Sequence, residues 1–143
     1  MTIVVPDASV ILKWVLQPED ERDTGSALRV LEAFLGEAIE IRVPSLWRYE
    51  VGNILAVKRP RTAREAMEVL LGYRFEEERL HSAYCLETLR FAAEAKGISF
   101  YDAAYHVLAI RTDGLFLTAD RKYVARAWRK GKIMHVADWK APL

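Results

Sequence analysis

The chain has 143 residues, with 21 basic against 20 acidic side chains and a net charge of +1. A chain of this length can bury roughly two-thirds of its unfolded surface without staples, and 52% hydrophobic with 29% charged residues exclude a disordered or low-complexity polypeptide. The single cysteine, Cys85, excludes an intrachain disulfide and points to a reducing compartment; within an apolar helical pattern it reads as small filler and not as a nucleophile.

The first residues carry no basic leader, and Asp7 interrupts the apolar stretch early, so no signal peptide is expected. No run approaches the ~20 apolar residues that span a bilayer, and a cytoplasmic protein without membrane contact is expected. Residues 2–6 read as a short buried strand, followed by a helix over about 8–16. Pro18 and the acidic Glu19-Asp20-Glu21 mark a break and a new helix start, running to about Leu35 with Gly36 as its stop. Residues 39–43 alternate apolar and polar as a strand does. Helices are expected from Pro44-Ser45 to about Lys58, where Pro60 ends the run, then over about 62–74 and 82–96 with Gly97 as a cap. Ser99 opens a further helix to about Thr112, and Asp113-Gly114 is a turn. A strand at 115–118, a helix at 119–130 and a strand at 133–136 complete the chain. No repeat, linker or low-complexity segment divides it, so a single domain over 1–143 is expected.

Alternating strands and helices imply an α/β fold with a central parallel sheet flanked by helices on both faces. Ligands of such sheets gather beyond the carboxyl ends of the strands. Asp7 follows the first strand and Asp120 follows the strand at 115–118. Asp7 also suits the N-cap of the next helix, and Asp120 a turn or cap, with Thr118 the more ordinary cap there. Glu50 is harder to explain by local structure. On a helical wheel it falls about 40° from Leu46 and from Ile54, inside an apolar arc, with Asn53 at the arc's edge. A carboxylate on a buried face is costly unless a cation or strong donors meet it; Arg42 or Arg48 would serve, as would a metal ion. Asp102 opens an apolar helix, where Ser99 and Asp102 have capping-box spacing.

Taken singly, each acid has an ordinary explanation. Converging in one cleft, four carboxylates repel one another, and Mg²⁺, which prefers oxygen ligands and keeps several waters, resolves the repulsion with one or two direct carboxylates. The three histidines are scattered and no Cys-x-x-Cys exists, so nothing competes for zinc, and there is no glycine-rich phosphate loop. Basic residues cluster at Lys58, Arg59, Arg61 and Arg64 and again from Arg121 to Lys132; these are solvated helix faces or a track for a phosphate backbone.

The segments Val4-Val-Pro-Asp-Ala-Ser9, Pro44-Ser-Leu-Trp-Arg-Tyr-Glu-Val-Gly-Asn53, Ser99-Phe-Tyr-Asp-Ala-Ala-Tyr105 and Leu117-Thr-Ala-Asp120 together resemble the PIN-domain family, specifically the VapC toxins of type II toxin–antitoxin systems. Order, spacing and length all fit, so the resemblance covers essentially the whole chain. It implies a PIN fold, Mg²⁺ or Mn²⁺ at Asp7, Glu50, Asp102 and Asp120, and Ser9, Asn53 and Thr118 as supporting polar residues. It also implies endonucleolytic cleavage of RNA, a homodimer, and inhibition by a VapB-type antitoxin. Arg121 and Lys122 are placed to hold the RNA by its phosphates. Pro6, just before Asp7, departs from the pattern of many relatives and bears on the strand edge more than on chemistry. A non-catalytic PIN-like binding module or a nuclease of general RNA processing would share the fold. A receiver-like phosphoacceptor would need an acid pair after the first strand and a late lysine, which this sequence lacks.

Overall fold

The computed structural model describes residues 1–16 and 22–142. Five strands form one parallel sheet: β1 (Thr2–Pro6), β2 (Ile39–Pro44), β3 (Glu76–Glu78), β4 (Leu115–Thr118) and β5 (Ile133–His135), in the order β3-β2-β1-β4-β5. The helices are α1 (Ala8–Ile11, continued by a 3₁₀ turn at Leu12–Trp14), α2 (Thr24–Leu35), α3 (Trp47–Lys58), α4 (Ala63–Gly72), α5 (Ser82–Glu94), α6 (Phe100–Arg111) and α7 (Arg121–Ala127). The expected helix start at Pro18 to Glu21 lies outside the described residues. No helix among the described residues is long and apolar enough to cross a membrane.

Consecutive residues of a strand face opposite sides of its sheet, so the complete burial of both Val4 and Val5 in β1 and of both Phe116 and Leu117 in β4 means that both faces are covered. Helix α6 lies across β1, β2 and β4 with α5 packed along it, while α2 packs on β2 and on the turn after α1. Burial on all sides of α6, from Ala103 through Ala109, explains why its sequence is apolar almost all round. The turn between α6 and β4 runs so close to β1 that a side chain at Gly114 would meet the Ile3 carbonyl at 2.8 Å.

Strand β3 escapes a reading of the sequence. Glu-Glu-Glu has poor strand propensity, yet it pairs with β2 from Arg42↔Glu76 to Pro44↔Glu78. Its central residue, Glu77, accepts from Arg48 Nε at 2.7 Å and Nη2 at 3.1 Å, and from the Trp47 indole. Beneath this edge Phe75 meets Trp14, Phe34, Trp47 and Tyr73, with ring centroids 5.3–5.9 Å away. Tertiary pairing and aromatic packing thus hold a strand that local preference would not.

Candidate metal centre

The chain moves outward from β1 to β2 and β3, then returns to add β4 and β5 on the other side of β1. This reversal leaves a crevice at the carboxyl ends of β1 and β4, where open α/β sheets bind ligands. The Asp7 amide donates to the Leu117 carbonyl at 3.1 Å, extending the β1–β4 ladder one residue into the crevice.

Asp7 is buried, and every donor that meets its carboxylate is neutral. Oδ1 accepts from the Ser9 hydroxyl and from the Val10 amide at 3.3 Å, which makes Asp7 the N-cap of α1; Oδ2 accepts from Thr118 Oγ1 at 2.6 Å. Burial pushes its pKa from 3.8 up to about 6 against the pull of these hydrogen bonds, and the charge of Asp102 adds to the rise. Asp120 caps α7 by accepting from the Tyr123 amide at 3.1 Å. Thr118 is therefore not the cap of that helix: its hydroxyl donates to Asp7 and accepts from the Asp120 amide at 3.1 Å, linking the two aspartates. Ser9 works in parallel, donating to Asp7 and accepting from the Ala119 amide at 3.0 Å.

Asp102 sits in the first turn of α6, and its amide donates to Ser99 Oγ at 3.1 Å. Its pKa is raised by burial and also by the charge of Asp120. Glu50, half-buried on α3, is raised by burial and by the charge of Asp102. Asp102 is thus the common electrostatic neighbour of Asp7, Glu50 and Asp120. The arginines that the sequence offers to Glu50 are engaged elsewhere, Arg42 with Glu40 at 3.1 Å and Arg48 with Glu77. Its hydrogen-bond partner is the Tyr105 hydroxyl, at 2.7 Å.

Among the described residues, none of the four acids pairs with a lysine or arginine. Nor does any group of three or more His, Cys, Asp or Glu side chains there close on one point as a full ligand set would. The donors fit a hard divalent cation, being carboxylate oxygens that repel one another, and Mg²⁺ binds through one or two carboxylates while keeping its waters.

Asn53 is exposed and shares a shallow cleft with Glu50, Leu46, Tyr49 and Tyr101. Arg121 and Lys122 line a larger open cleft of about 460 Å³ with Lys13, Arg22, Asp23, Ala119 and Asp120. Elsewhere in that basic cluster, Arg126 donates to the Gly97 carbonyl, Arg129 lies over the Trp128 ring, Lys130 pairs with Glu94, and Lys132 pairs with Asp113. Trp47 and Trp139 are core, and Trp14 donates its indole N–H to the Ala27 carbonyl at 2.7 Å. Cys85 is half-buried.

Two supports of the site have roles that the sequence does not disclose. Tyr105 looks like one more apolar residue of α6. His106, one of the scattered histidines, is fully buried with Nε2 2.7 Å from the Gly131 carbonyl. That acceptor requires the proton on Nε2, so Nδ1 accepts from the Tyr123 hydroxyl at 2.8 Å. The bond ties α6, which carries Asp102, to α7, which Asp120 caps.

The model of the PIN-domain family matches residues 4–129. The chain belongs to the PIN-domain family. Solved structures similar to this PIN domain include PAE2754 from Pyrobaculum aerophilum, at 23% identity and TM-score 0.65 over 94% of this chain and 91% of that one. Mycobacterium tuberculosis VapC20, described as a sarcin-ricin loop cleaving toxin, is 12% identical with TM-score 0.66 over 85% and 93%. VapBC2 from Rickettsia felis, solved with a DNA fragment from the promoter of the pair, is 18% identical with TM-score 0.67 over 94% and 98%. At these identities the likeness is one of fold. A comparison with curated protein sequences finds no match.

Proposed function

We propose that this PIN domain is a Mg²⁺- or Mn²⁺-dependent endoribonuclease, the toxin of a VapBC-type pair, acting in the cytoplasm as a homodimer and restrained by a VapB-type antitoxin. One arrangement carries the nuclease reading: Asp7, Glu50 and Asp120, from different segments, all lie within electrostatic reach of Asp102 beside the β1–β4 crevice, and none of the four pairs with a lysine or arginine among the described residues. A pure binder of RNA gains nothing by gathering negative charge opposite phosphate. The toxin reading is supported by the family and by the VapC and VapBC neighbours.

Asp7, Asp102 and Glu50 would hold the principal ion directly or through water, and Asp120 would complete the site or hold a second one. A divalent ion bound there supplies an activated water and offsets charge on the phosphate. Ser9 and Thr118 fix the Asp7 carboxylate by donating to its two oxygens, so its orientation is set before an ion or substrate arrives. Asn53 supports the Glu50 side of the site. Arg121 and Lys122, beside Asp120, would hold the scissile strand by its phosphates, and single-stranded or looped RNA suits a site that must reach the backbone.

The test is incubation of the purified protein with labelled unstructured RNA in Mg²⁺, Mn²⁺ or EDTA, beside Asp7→Asn. Asparagine is also a good N-cap, so the variant should keep the fold. Cleavage that requires metal and is lost in the variant is expected. An equally active Asp7→Asn, or absence of both cleavage and metal binding, would overturn the reading in favour of a non-catalytic binding module.

A further inference from the structure

Glu50 and Tyr105 meet across the floor of the site in a way that local structure does not require. Glu50 belongs to α3, caps nothing and forms no ion pair among the described residues. Tyr105 belongs to α6, three residues after Asp102. Its ring is 1% exposed and stacks on Phe116 of β4, with centroids 6.2 Å apart and planes within 13°. The hydroxyl donates to Glu50 Oε1 at 2.7 Å. Burial and the charge of Glu50 both push the phenol's pKa well above its ordinary value, so it stays protonated and remains a donor. Glu50 Oε2 has no hydrogen-bond partner among the described residues.

We infer that Tyr105 is a positioning residue: by donating to Oε1 it fixes the Glu50 carboxylate so that Oε2 serves a divalent cation or a water held by one. This rests on the metal-centre reading above and deepens it. A phenol suits the task better than an arginine would. It supplies one strong donor and no charge, so Glu50 keeps its attraction for a cation, whereas the guanidinium on Glu77 occupies both oxygens and cancels the charge. Because α6 carries both Tyr105 and Asp102, the same helix that presents one acid also orients another.

The test measures Mn²⁺ binding by calorimetry to the full chain, without RNA, for the wild type, Tyr105→Phe, Glu50→Asp and the double variant, together with the melting temperature of each without metal. Phenylalanine preserves the stacked ring, so Tyr105→Phe should fold. Removing an outer partner of a ligand commonly weakens metal affinity by roughly tenfold or more, and that loss is expected for Tyr105→Phe. Shortening Glu50 withdraws its carboxylate from the hydroxyl, so Tyr105→Phe should cost little further affinity in the Glu50→Asp background. The melting temperatures without metal separate a loss of fold from a loss of affinity in each variant.

Wild-type affinity retained in Tyr105→Phe, with only a lower melting temperature, would overturn the inference while leaving the metal centre standing. Additive losses in the double variant would overturn it too. Absence of Mn²⁺ binding by the wild type would overturn the metal-centre reading and this inference with it.

Discussion

Glu50 and Glu77 lie near the same helix and meet opposite treatment. Glu77, on the edge strand β3, is gripped by the Arg48 guanidinium, which holds its pKa below the ordinary range with help from the Trp47 indole. Glu50, at the heart of the sheet's carboxyl end, receives one phenol, and burial pushes its pKa up. Arg48 shows that α3 can bring a guanidinium to a carboxylate when structure needs one, so the lack of such a partner at Glu50 is a property of the site. The comparison teaches that an acid's role is legible in what the fold withholds from it. Neutralised carboxylates hold elements together, and those left to repel one another are the ones the proposed metal centre would use.

The largest expected effect breaks the contrast at its centre. Asp102→Asn removes the charge felt by both Asp7 and Glu50. It should cut metal-dependent RNA cleavage at least a hundredfold, a barrier change on the order of 3 kcal/mol, while circular dichroism stays native; a gel assay of labelled RNA checks it.

Next in size is the pH dependence of the metal-free protein. Folded Asp7 keeps its proton up to about pH 6, against 3.8 for an ordinary aspartate. Between those values the folded state binds more protons than the unfolded state, so its contribution to stability is present at low pH and is lost as pH rises through about 6. The loss is roughly 3 kcal/mol. Urea unfolding of the wild type and Asp7→Asn in EDTA, from pH 4 to pH 7, should show the difference between the two curves closing in the wild type's disfavour.

A divalent ion should reverse that cost. At a hundred times its dissociation constant, Mn²⁺ should stabilise the wild type by about 2.7 kcal/mol and Asp102→Asn far less, read as shifts in melting temperature. The smallest effect belongs to the other region. Arg48→Ala leaves Glu77 with the indole, and because Arg48 is 54% exposed the loss should be about 1 kcal/mol or less, with cleavage unchanged. Lost cleavage there would erase the distinction between structural and functional acids.

The sequence makes the framework visible because β1 and β4 are buried on both faces and read as short apolar runs, with Asp7 directly after the first and Asp120 two residues beyond the second. Glu50 stands out because a helical wheel puts a charge among apolar neighbours, although learning that Arg42 and Arg48 are engaged elsewhere and that Tyr105 meets it required three dimensions. Asp7, Asp102 and Asp120 are harder to isolate, since the first and last cap helices in the structure and the second sits in a capped first turn. Their ordinary roles are real and coexist with the shared field. Tyr105 and His106 stay hidden because a buried tyrosine or histidine in an apolar helix looks like packing until its partner on another element is known. β3 stays hidden because its strand character comes from its neighbours.

That strand carries a further consequence. An open sheet edge invites another copy of the chain to add its own strand. Here a self-association of that kind would face Glu76-Glu77-Glu78 with the same three glutamates, and like charges set opposite each other across strands are destabilising. With Glu77 already paired to Arg48, the flanking Glu76 and Glu78 supply the like charges that disfavour joining two copies through the β3 edge.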